Sequence, residues 1–100
     1  DGKLSLAKLV FLTSYRARSL FNLADKGEVA VGNHADLTFV DLAATRTIEE
    51  DWIASRCGWS PFTGKSVRGW PVGTMVRGQR VMWDGELETP ETGQPITFDI

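Results

Sequence analysis

The N-terminal third of the chain has the periodicity of an amphipathic helix. Apolar and small residues recur there at three- and four-residue spacing, while basic residues fall mostly off that stripe. The stripe consists of Leu6, Leu9, Val10, Thr13, Ala17, Leu20 and Phe21. Because Thr13 and Ser14 can each cap a helix with a hydroxyl, a break is predicted between residues 5–12 and residues 15–23. The second helix is expected to stop near Gly27, which tolerates a positive φ.

Beyond these helices the period of the pattern changes to two. Residues 36–42 alternate apolar and polar side chains, are rich in β-forming types and follow a Gly-Asn turn, which predicts a strand. Shorter strands are predicted at residues 28–31 and 46–48. Three acidic residues favour a single helical turn at residues 52–55.

The second half of the chain is dominated by turn signals. Residues 58–64 read as a loop because glycines bracket a proline. A hairpin is predicted from residues 72–76 and 80–83, with Gly78 leading a type II′ turn. Residues 86–100 carry acids and prolines but no basic residue, which is typical of a solvated, flexible tail.

Composition places these elements in one small domain. With 100 residues, 42% of them hydrophobic, the chain has room for a single packed core. We expect an α+β fold: a helix pair in residues 1–25, a small antiparallel β region in residues 26–85 and the tail in residues 86–100. The net charge of −2 offers no attractive surface to nucleic acid or to an anionic membrane. The first residue, an aspartate, looks like a cut within a longer chain.

Few residues could carry chemistry. Cys57 cannot form an internal disulfide, and with His34 as the only histidine a zinc site of Cys and His alone is excluded. Asp36 and Asp41 should face opposite sides of a strand, so we expect Asp36 to bind nearby turn N–H groups and Asp41 to end the strand. Cys57 lies beside Arg56 but has no nearby histidine base. The sequence therefore predicts no catalytic, cofactor-binding or metal-ligating residue.

Tryptophan is abundant for this length. Four are present: Trp52, Trp59, Trp70 and Trp83. They could form a stacking platform for a sugar, although core or interface packing is the commoner role, and some should be exposed if a partner is missing. Arg77 and Arg80 are expected to be solvated charges of the hairpin.

Read in order, several motifs resemble the C-terminal end of a dihydroorotase of the amidohydrolase superfamily. The segments that carry the resemblance are residues 18–23, 26–41, 60–64 and 74–81. A narrower similarity to dihydroorotases, against hydantoinases and allantoinases, lies in residues 57–62 and 69–72. The sequence departs from the family at residues 14–17, where Asn-Pro-Ala is usual, and at His34, where an aspartate or another polar residue is commoner.

The resemblance implies a TIM-like barrel that carries the metal centre and a small β-sandwich built by strands from both chain ends. Residues 5–23 would belong to the last barrel helices, and residues 28–83 would be the C-terminal share of the sandwich. The family's metal ligands lie upstream of the matched region, so none is transferred to this chain. The parent enzyme would be cytoplasmic and use zinc to interconvert dihydroorotate and N-carbamoyl-aspartate in pyrimidine biosynthesis. This chain alone would be inactive.

Two other interpretations stay open. The chain could belong to an inactive dihydroorotase-like scaffold subunit that binds aspartate transcarbamoylase, or it could be an independent Trp-rich β binding module. In the preferred interpretation its partners are the remainder of the barrel and the N-terminal strands. Unpaired strand edges would then favour homo-oligomers of the isolated chain.

Overall fold

The computed structural model describes residues 2–88 and 93–99, which form one helix and a four-stranded antiparallel sheet. The helix, α1, consists of an α-helical stretch at Leu6–Val10, a π-helical stretch at Phe11–Tyr15 and a second α-helical stretch at Arg16–Phe21. It begins where the sequence predicts, because the Ser5 hydroxyl accepts a hydrogen bond of 3.1 Å from the Lys8 backbone N–H.

The predicted break in the helix is wrong, and so is the predicted helix pair. The Thr13 hydroxyl donates to the Leu9 carbonyl at 2.9 Å, so it bonds back along the helix instead of capping a new one. The helix ends at Asn22, which adopts the left-handed conformation at φ 52°. Gly27 has a different role: a Cβ there would lie 2.6 Å from the Arg18 Cβ, so glycine permits a close approach to the helix.

The sheet has the strand order β1-β2-β3-β4, and every neighbouring pair is antiparallel. The strands are β1 at Leu37–Thr47, β2 at Ser66–Val76, β3 at Gln79–Trp83 and β4 at Glu86–Leu87. β1 and β4 are therefore the two edge strands.

Strand β1 joins two strands that the sequence pattern separates, at residues 36–42 and 46–48. A bulge between Asp41 and Thr45 accommodates the extra residues while pairing with β2 continues on both sides. Strand β2 is likewise longer than predicted, whereas residues 28–31 form no strand.

Both hairpin turns have two central residues with positive φ. The β2–β3 turn is Arg77-Gly78, with φ of 52° and 80°, which indicates type I′ and corrects the predicted type II′ turn. The β3–β4 turn is Asp84-Gly85, with φ of 49° and 84°. The single helical turn predicted at residues 52–55 lies earlier, as a 3₁₀ helix at Glu50–Trp52.

The described part of the acidic tail is connected to the fold at two places. Glu86–Leu87 form β4, and Leu23 and Phe98 form an isolated antiparallel bridge. Two backbone hydrogen bonds of 2.9 and 2.7 Å flank this bridge. The predicted tail also includes residues 89–92 and 100, which lie outside the described residues. Its flexibility and the division into three segments stay predictions.

The fold has little interior. Trp70, 8% exposed, is the only buried apolar side chain among residues 2–88 and 93–99. The accessible surface is 7925 Å², whereas a compact monomer of this mass exposes about 5,700 Å². The radius of gyration is 15.4 Å, against about 13 Å for a compact domain of 100 residues. The chain therefore leaves exposed a large surface that a self-contained domain would bury.

No helix in the described part of the chain is long and apolar enough to span a membrane.

Candidate functional site

A polar cluster joins the loop after α1 to the β2–β3 turn. Asp36 forms an ion pair with Lys26, and its Oδ1 accepts a hydrogen bond of 2.8 Å from the Arg77 backbone N–H. The Gly78 N–H donates to the Ala35 carbonyl at 2.9 Å, which is a second hydrogen bond between the β2–β3 turn and the segment before β1. The hydrogen bond from Lys26, followed by that from the Arg77 N–H, holds the pKa of Asp36 below its usual value. Asp36 thus accepts one turn N–H, but it comes from the distant residue Arg77 and not from a nearby turn, which corrects the prediction.

His34 lies at the edge of this cluster. Its backbone N–H donates to the Asp25 carbonyl at 2.8 Å, and its Nε2 lies 3.5 Å from the Arg77 Nη1. The arginine is exposed, as predicted, but it is directed at the imidazole. An open cavity of about 550 Å³ is lined by Asp25, Lys26, His34, Arg77, Gln94, Pro95 and Thr97. Since Lys26 is neutralised by Asp36 and an aspartate faces the same cavity as Arg77, the cavity presents no net charge to a ligand.

These residues do not fit a hydrolytic metal centre. Within residues 2–88 and 93–99, no three His, Cys, Asp or Glu side chains come together. A zinc site needs three or four such ligands, and His34 has an arginine as its neighbour. The cluster can hold a turn in place, but it cannot activate water through a metal.

The other candidate residues also serve local structure. Asp41 lies inside β1 and does not end it, which corrects the prediction; its Oδ1 accepts from the N–H groups of Ala43 and Ala44 and shapes the bulge. Cys57 is exposed, and a hydrogen bond with the Ser55 hydroxyl lowers the pKa of its thiol. A lone thiol is not a catalytic site, because a nucleophile also needs a base and a place for its substrate.

The aromatic side chains pack against each other on the sheet. Trp52 and Trp70 have ring centroids 4.9 Å apart, and the Arg46 guanidinium lies 6.0 Å from the Trp70 ring. Phe39 and Trp83 meet edge to face at 5.6 Å. In contrast, Trp59 is 60% exposed.

A further candidate surface is an apolar groove between α1 and β1, with a volume of about 840 Å³. On the helix side it is lined by Leu6, Leu9, Val10, Thr13, Ser14 and Ala17, and on the sheet side by Leu37, Thr38, Val40, Leu42, Arg68 and Gly69. The connecting segment contributes further residues, among them Leu23, Lys26, Gly27, Glu28 and Val29. Two charged residues at this rim are paired within the chain, Glu28 with Arg18 at 2.5 Å and Lys26 with Asp36.

Sequence reasoning missed two parts of this arrangement. Lys26 and Arg77 surround Asp36 only after folding, because Arg77 is 41 positions away along the chain. The apolar stripe of the helix is recognised from its periodicity, whereas the face of β1 that lies opposite to it is not. The signal for that face is the alternation at Thr38, Val40 and Leu42, since these residues share one side of a strand.

Known proteins match almost the whole chain. The Amidohydrolase family pattern matches residues 1–81. A dihydroorotase from Methanothermobacter thermautotrophicus is 40% identical over 86 residues, which are 86% of this chain and 20% of that protein. An allantoinase from Desulfitobacterium hafniense is 31% identical over 96 residues, which are 96% of this chain and 21% of that protein.

A solved structure agrees with these sequence matches. L-Hydantoinase from Arthrobacter aurescens superimposes with a TM-score of 0.87 at 38% identity, covering 96% of this chain and 22% of that one. The chain thus spans about a fifth of the length of the curated relatives that it matches, at 20%, 22% and 21%. The resemblance drawn from the sequence motifs is confirmed at the level of the family, and the chain belongs to the Amidohydrolase family.

Proposed function

We propose that this chain is a non-catalytic structural segment of a zinc-dependent, dihydroorotase-like cyclic amidohydrolase of the cytoplasm. The whole enzyme would interconvert dihydroorotate and N-carbamoyl-aspartate. One observation carries the proposal: the chain is 40% identical to a dihydroorotase along 86% of its own length, yet it corresponds to only 20% of that protein. The motifs at residues 57–62 and 69–72 favour dihydroorotase among the cyclic amidohydrolases.

The described residues support the structural role. Hydrolysis of a ring amide needs an activated water and a group that stabilises the developing oxyanion. Asp36 is engaged with Lys26 and the Arg77 N–H, and Asp41 accepts from the backbone N–H groups of Ala43 and Ala44. A zinc ion, where the family binds one, would supply Lewis-acid activation of water and of the amide carbonyl. We place its ligands in the rest of the polypeptide, because the residues here do not fit it.

The sheet has an unpaired edge suited to such a role. β1 is an edge strand of 11 residues, so the backbone groups on its outer side lack a strand partner in the sheet. We propose that an N-terminal strand of the same enzyme pairs there and that the barrel covers the apolar surfaces.

The test is an activity assay of two proteins with added zinc. The purified 100-residue chain should not convert dihydroorotate, whereas the chain joined to its upstream polypeptide should. Turnover by the 100-residue chain alone would refute the non-catalytic role.

A hydantoinase is the second candidate for the whole enzyme, because the superposition at a TM-score of 0.87 is with an L-hydantoinase. The longer protein should therefore be assayed on dihydroorotate, hydantoin and allantoin in parallel. A preference for dihydroorotate supports the proposal, and a preference for either other ring contradicts it.

A further inference from the structure

The polar cavity beside the β2–β3 turn combines a histidine with an arginine that has no acidic partner. The Arg77 Nη1 lies 3.5 Å from the His34 Nε2, and none of the ion pairs among residues 2–88 and 93–99 includes Arg77. A guanidinium carries five N–H donors and no acceptor. The contact with one imidazole nitrogen engages one of these donors, so others are available to a ligand in the cavity.

The turn itself does not explain why residue 77 is an arginine. Arg77 has a φ of 52° at the first central position of a type I′ turn, where asparagine, aspartate or glycine is preferred. Its backbone N–H, and not its side chain, makes the hydrogen bond to Asp36. A residue that departs from the preference of its turn is expected where its side chain serves a function.

The charged pairs around His34 are neutral within themselves. Lys26, which lines the cavity together with His34, is paired with Asp36. Glu28, which lines the neighbouring groove together with His34, is paired with Arg18. The hydrogen bond from Lys26 is the largest of the effects that hold the pKa of Asp36 below its usual value, so this carboxylate stays ionised at pH ~5 and above.

His34 therefore decides the charge of the cavity. Asp25 and Arg77 line it with opposite charges, so the cavity is neutral overall while the imidazole is neutral. Imidazole is the side chain that usually gains its charge between about pH 8 and pH 5. When His34 is protonated, the cavity carries one positive charge, and the imidazolium and the guanidinium repel each other at 3.5 Å. An anion between them replaces this repulsion with two attractions.

The geometry of the cavity suits a small oxyanion with several acceptor oxygens. Two cationic donors 3.5 Å apart can both reach one anion, because charge-assisted N–H···O bonds are about 2.8 Å long. Gln94 and Thr97 also line the cavity, and an amide and a hydroxyl are uncharged donors. The donors thus come from the loop after α1, the β2–β3 turn and the C-terminal segment, which favours a tetrahedral anion over a planar one. The volume of about 550 Å³ lies within the range of ~300–1,000 Å³ for small-ligand sites.

We propose that protonation of His34 makes this cavity a binding site for a tetrahedral oxyanion of the phosphate class, held between the His34 imidazolium and the Arg77 guanidinium. The proposal goes beyond the proposed function and does not depend on it. Because the bound anion stabilises the imidazolium, anion binding and proton uptake are linked. The anion therefore raises the pH at which His34 is half protonated, and this shift is the property to measure.

The experiment follows the His34 imidazole by NMR in the chain joined to its upstream polypeptide, with carbon-13 in the histidines. The signal that is absent from a His34→Asn variant identifies His34. Its titration is recorded in sodium sulfate and in sodium chloride of equal ionic strength, and sulfate is the probe because its charge stays constant between about pH 8 and pH 5. We expect a midpoint about one pH unit higher in sulfate, which corresponds to about tenfold tighter binding of sulfate to the protonated form.

Two arginine variants assign the shift to the cavity. Arg77→Asn removes the guanidinium and suits the type I′ turn, so it should abolish the difference between the two salts while the turn persists. Arg56→Asn is the matched control, because Arg56 is an exposed arginine that does not line the cavity, and it should keep the full difference. Equal midpoints in the two salts for the unmodified protein would overturn the proposal, as would a difference that survives Arg77→Asn or is lost in Arg56→Asn. Hydrolytic activity does not enter this measurement, so its outcome is separate from that of the proposed function.

Inorganic phosphate and glycerol phosphate then distinguish a free phosphate from a phosphate group on a larger molecule. Either anion should shift the His34 signal at a pH near ~6 in the unmodified protein and not in Arg77→Asn. The anion that acts at the lower concentration identifies the source. A protein that responds to neither anion would overturn the assignment to the phosphate class.

Discussion

The four-stranded sheet and helix α1 are held in the molecule in different ways. In the sheet, Trp70 on β2 is buried against Trp52 from the connection between β1 and β2, and Trp83 packs across Gly73. The helix instead is attached by polar and backbone contacts at its C-terminal end, and its apolar stripe is exposed. The sheet thus carries its own packing, whereas the helix presents an exposed apolar surface. Mutations should therefore unfold the first and only loosen the second.

The largest effect is expected from Trp70→Ala, which removes the one buried apolar side chain in the described residues. Truncation of a buried tryptophan costs about 3–5 kcal/mol, which is comparable to the total stability of a small domain. Urea denaturation should show loss of the folded sheet. Trp59→Ala is the control, because Trp59 is 60% exposed, and it should change the free energy of unfolding by no more than ~0.5 kcal/mol. Equal effects of the two variants would contradict a core centred on Trp70.

Next is Gly73→Ala, which tests the second aromatic contact of the sheet. A Cβ at Gly73 would lie 2.5 Å from the Trp83 ring, so the ring must move away from Phe39. Overpacking of this kind costs about 1–3 kcal/mol, and the midpoint in urea should fall accordingly. Gly93→Ala is the matched control, because nothing lies within 4 Å of a Cβ there. A midpoint unchanged by Gly73→Ala would show that Trp83 does not depend on this glycine.

Gly27→Ala tests the helix side. The new methyl group would meet the Arg18 Cβ at 2.6 Å, and the residue has a φ of 91° that disfavours alanine. The contact between the loop and α1 should be lost at a local cost of about 1–2 kcal/mol. Amide exchange should accelerate in α1 while the sheet amides keep their protection. Equal acceleration in the sheet would show that the two sides unfold together, against the comparison drawn above.

Asp36 connects the loop after α1 to the β2–β3 turn, and the stability that it contributes should depend on pH. Its pKa is lowered in the folded chain by Lys26 and the Arg77 N–H, so its stabilisation is present above the usual value of 3.8 and is lost as the pH falls through the lower folded value. Asp36→Asn should cost about 1 kcal/mol near neutral pH and progressively less in acid. Denaturation curves across the pH range provide the measurement, with the exposed Asp51→Asn as control. A cost that stays constant below pH 3.8 would contradict the ion pair.

Local chemistry accounts for the features that the sequence could predict. The start of α1 near residue 5 and the β2–β3 hairpin depend on neighbouring residues, and such signals are visible in the sequence. The predicted helix break is wrong because a threonine hydroxyl can either cap a new helix or donate to a carbonyl of the preceding turn. Thr13 donates to the Leu9 carbonyl, so the helix continues. Strand β1 was divided wrongly because only pairing with β2 shows that it continues beyond its bulge.

In the candidate site, too, contacts between neighbouring residues could be predicted and contacts between distant residues could not. That Asp36 accepts a hydrogen bond from a turn N–H was predictable from its residue type and its place before a strand, but not that the turn is a distant one. Its partner Arg77 was not, since no local pattern connects residues that meet only through the sheet. The groove depends on two surfaces far apart in the sequence, and neither one alone shows that they face each other.

The smallest effect is expected from Arg77→Asn, which changes the side chain but keeps the turn. Arg77 has a φ of 52° at the first central position of a type I′ turn, where asparagine is preferred over a long side chain. Its N–H still reaches Asp36, so the free energy of unfolding should rise by about 0.5 kcal/mol. Two-dimensional NMR should show a changed His34 imidazole signal, because the guanidinium 3.5 Å from its Nε2 is removed. A loss of stability instead would mean that the arginine side chain, and not only its backbone, holds the hairpin against the loop after α1.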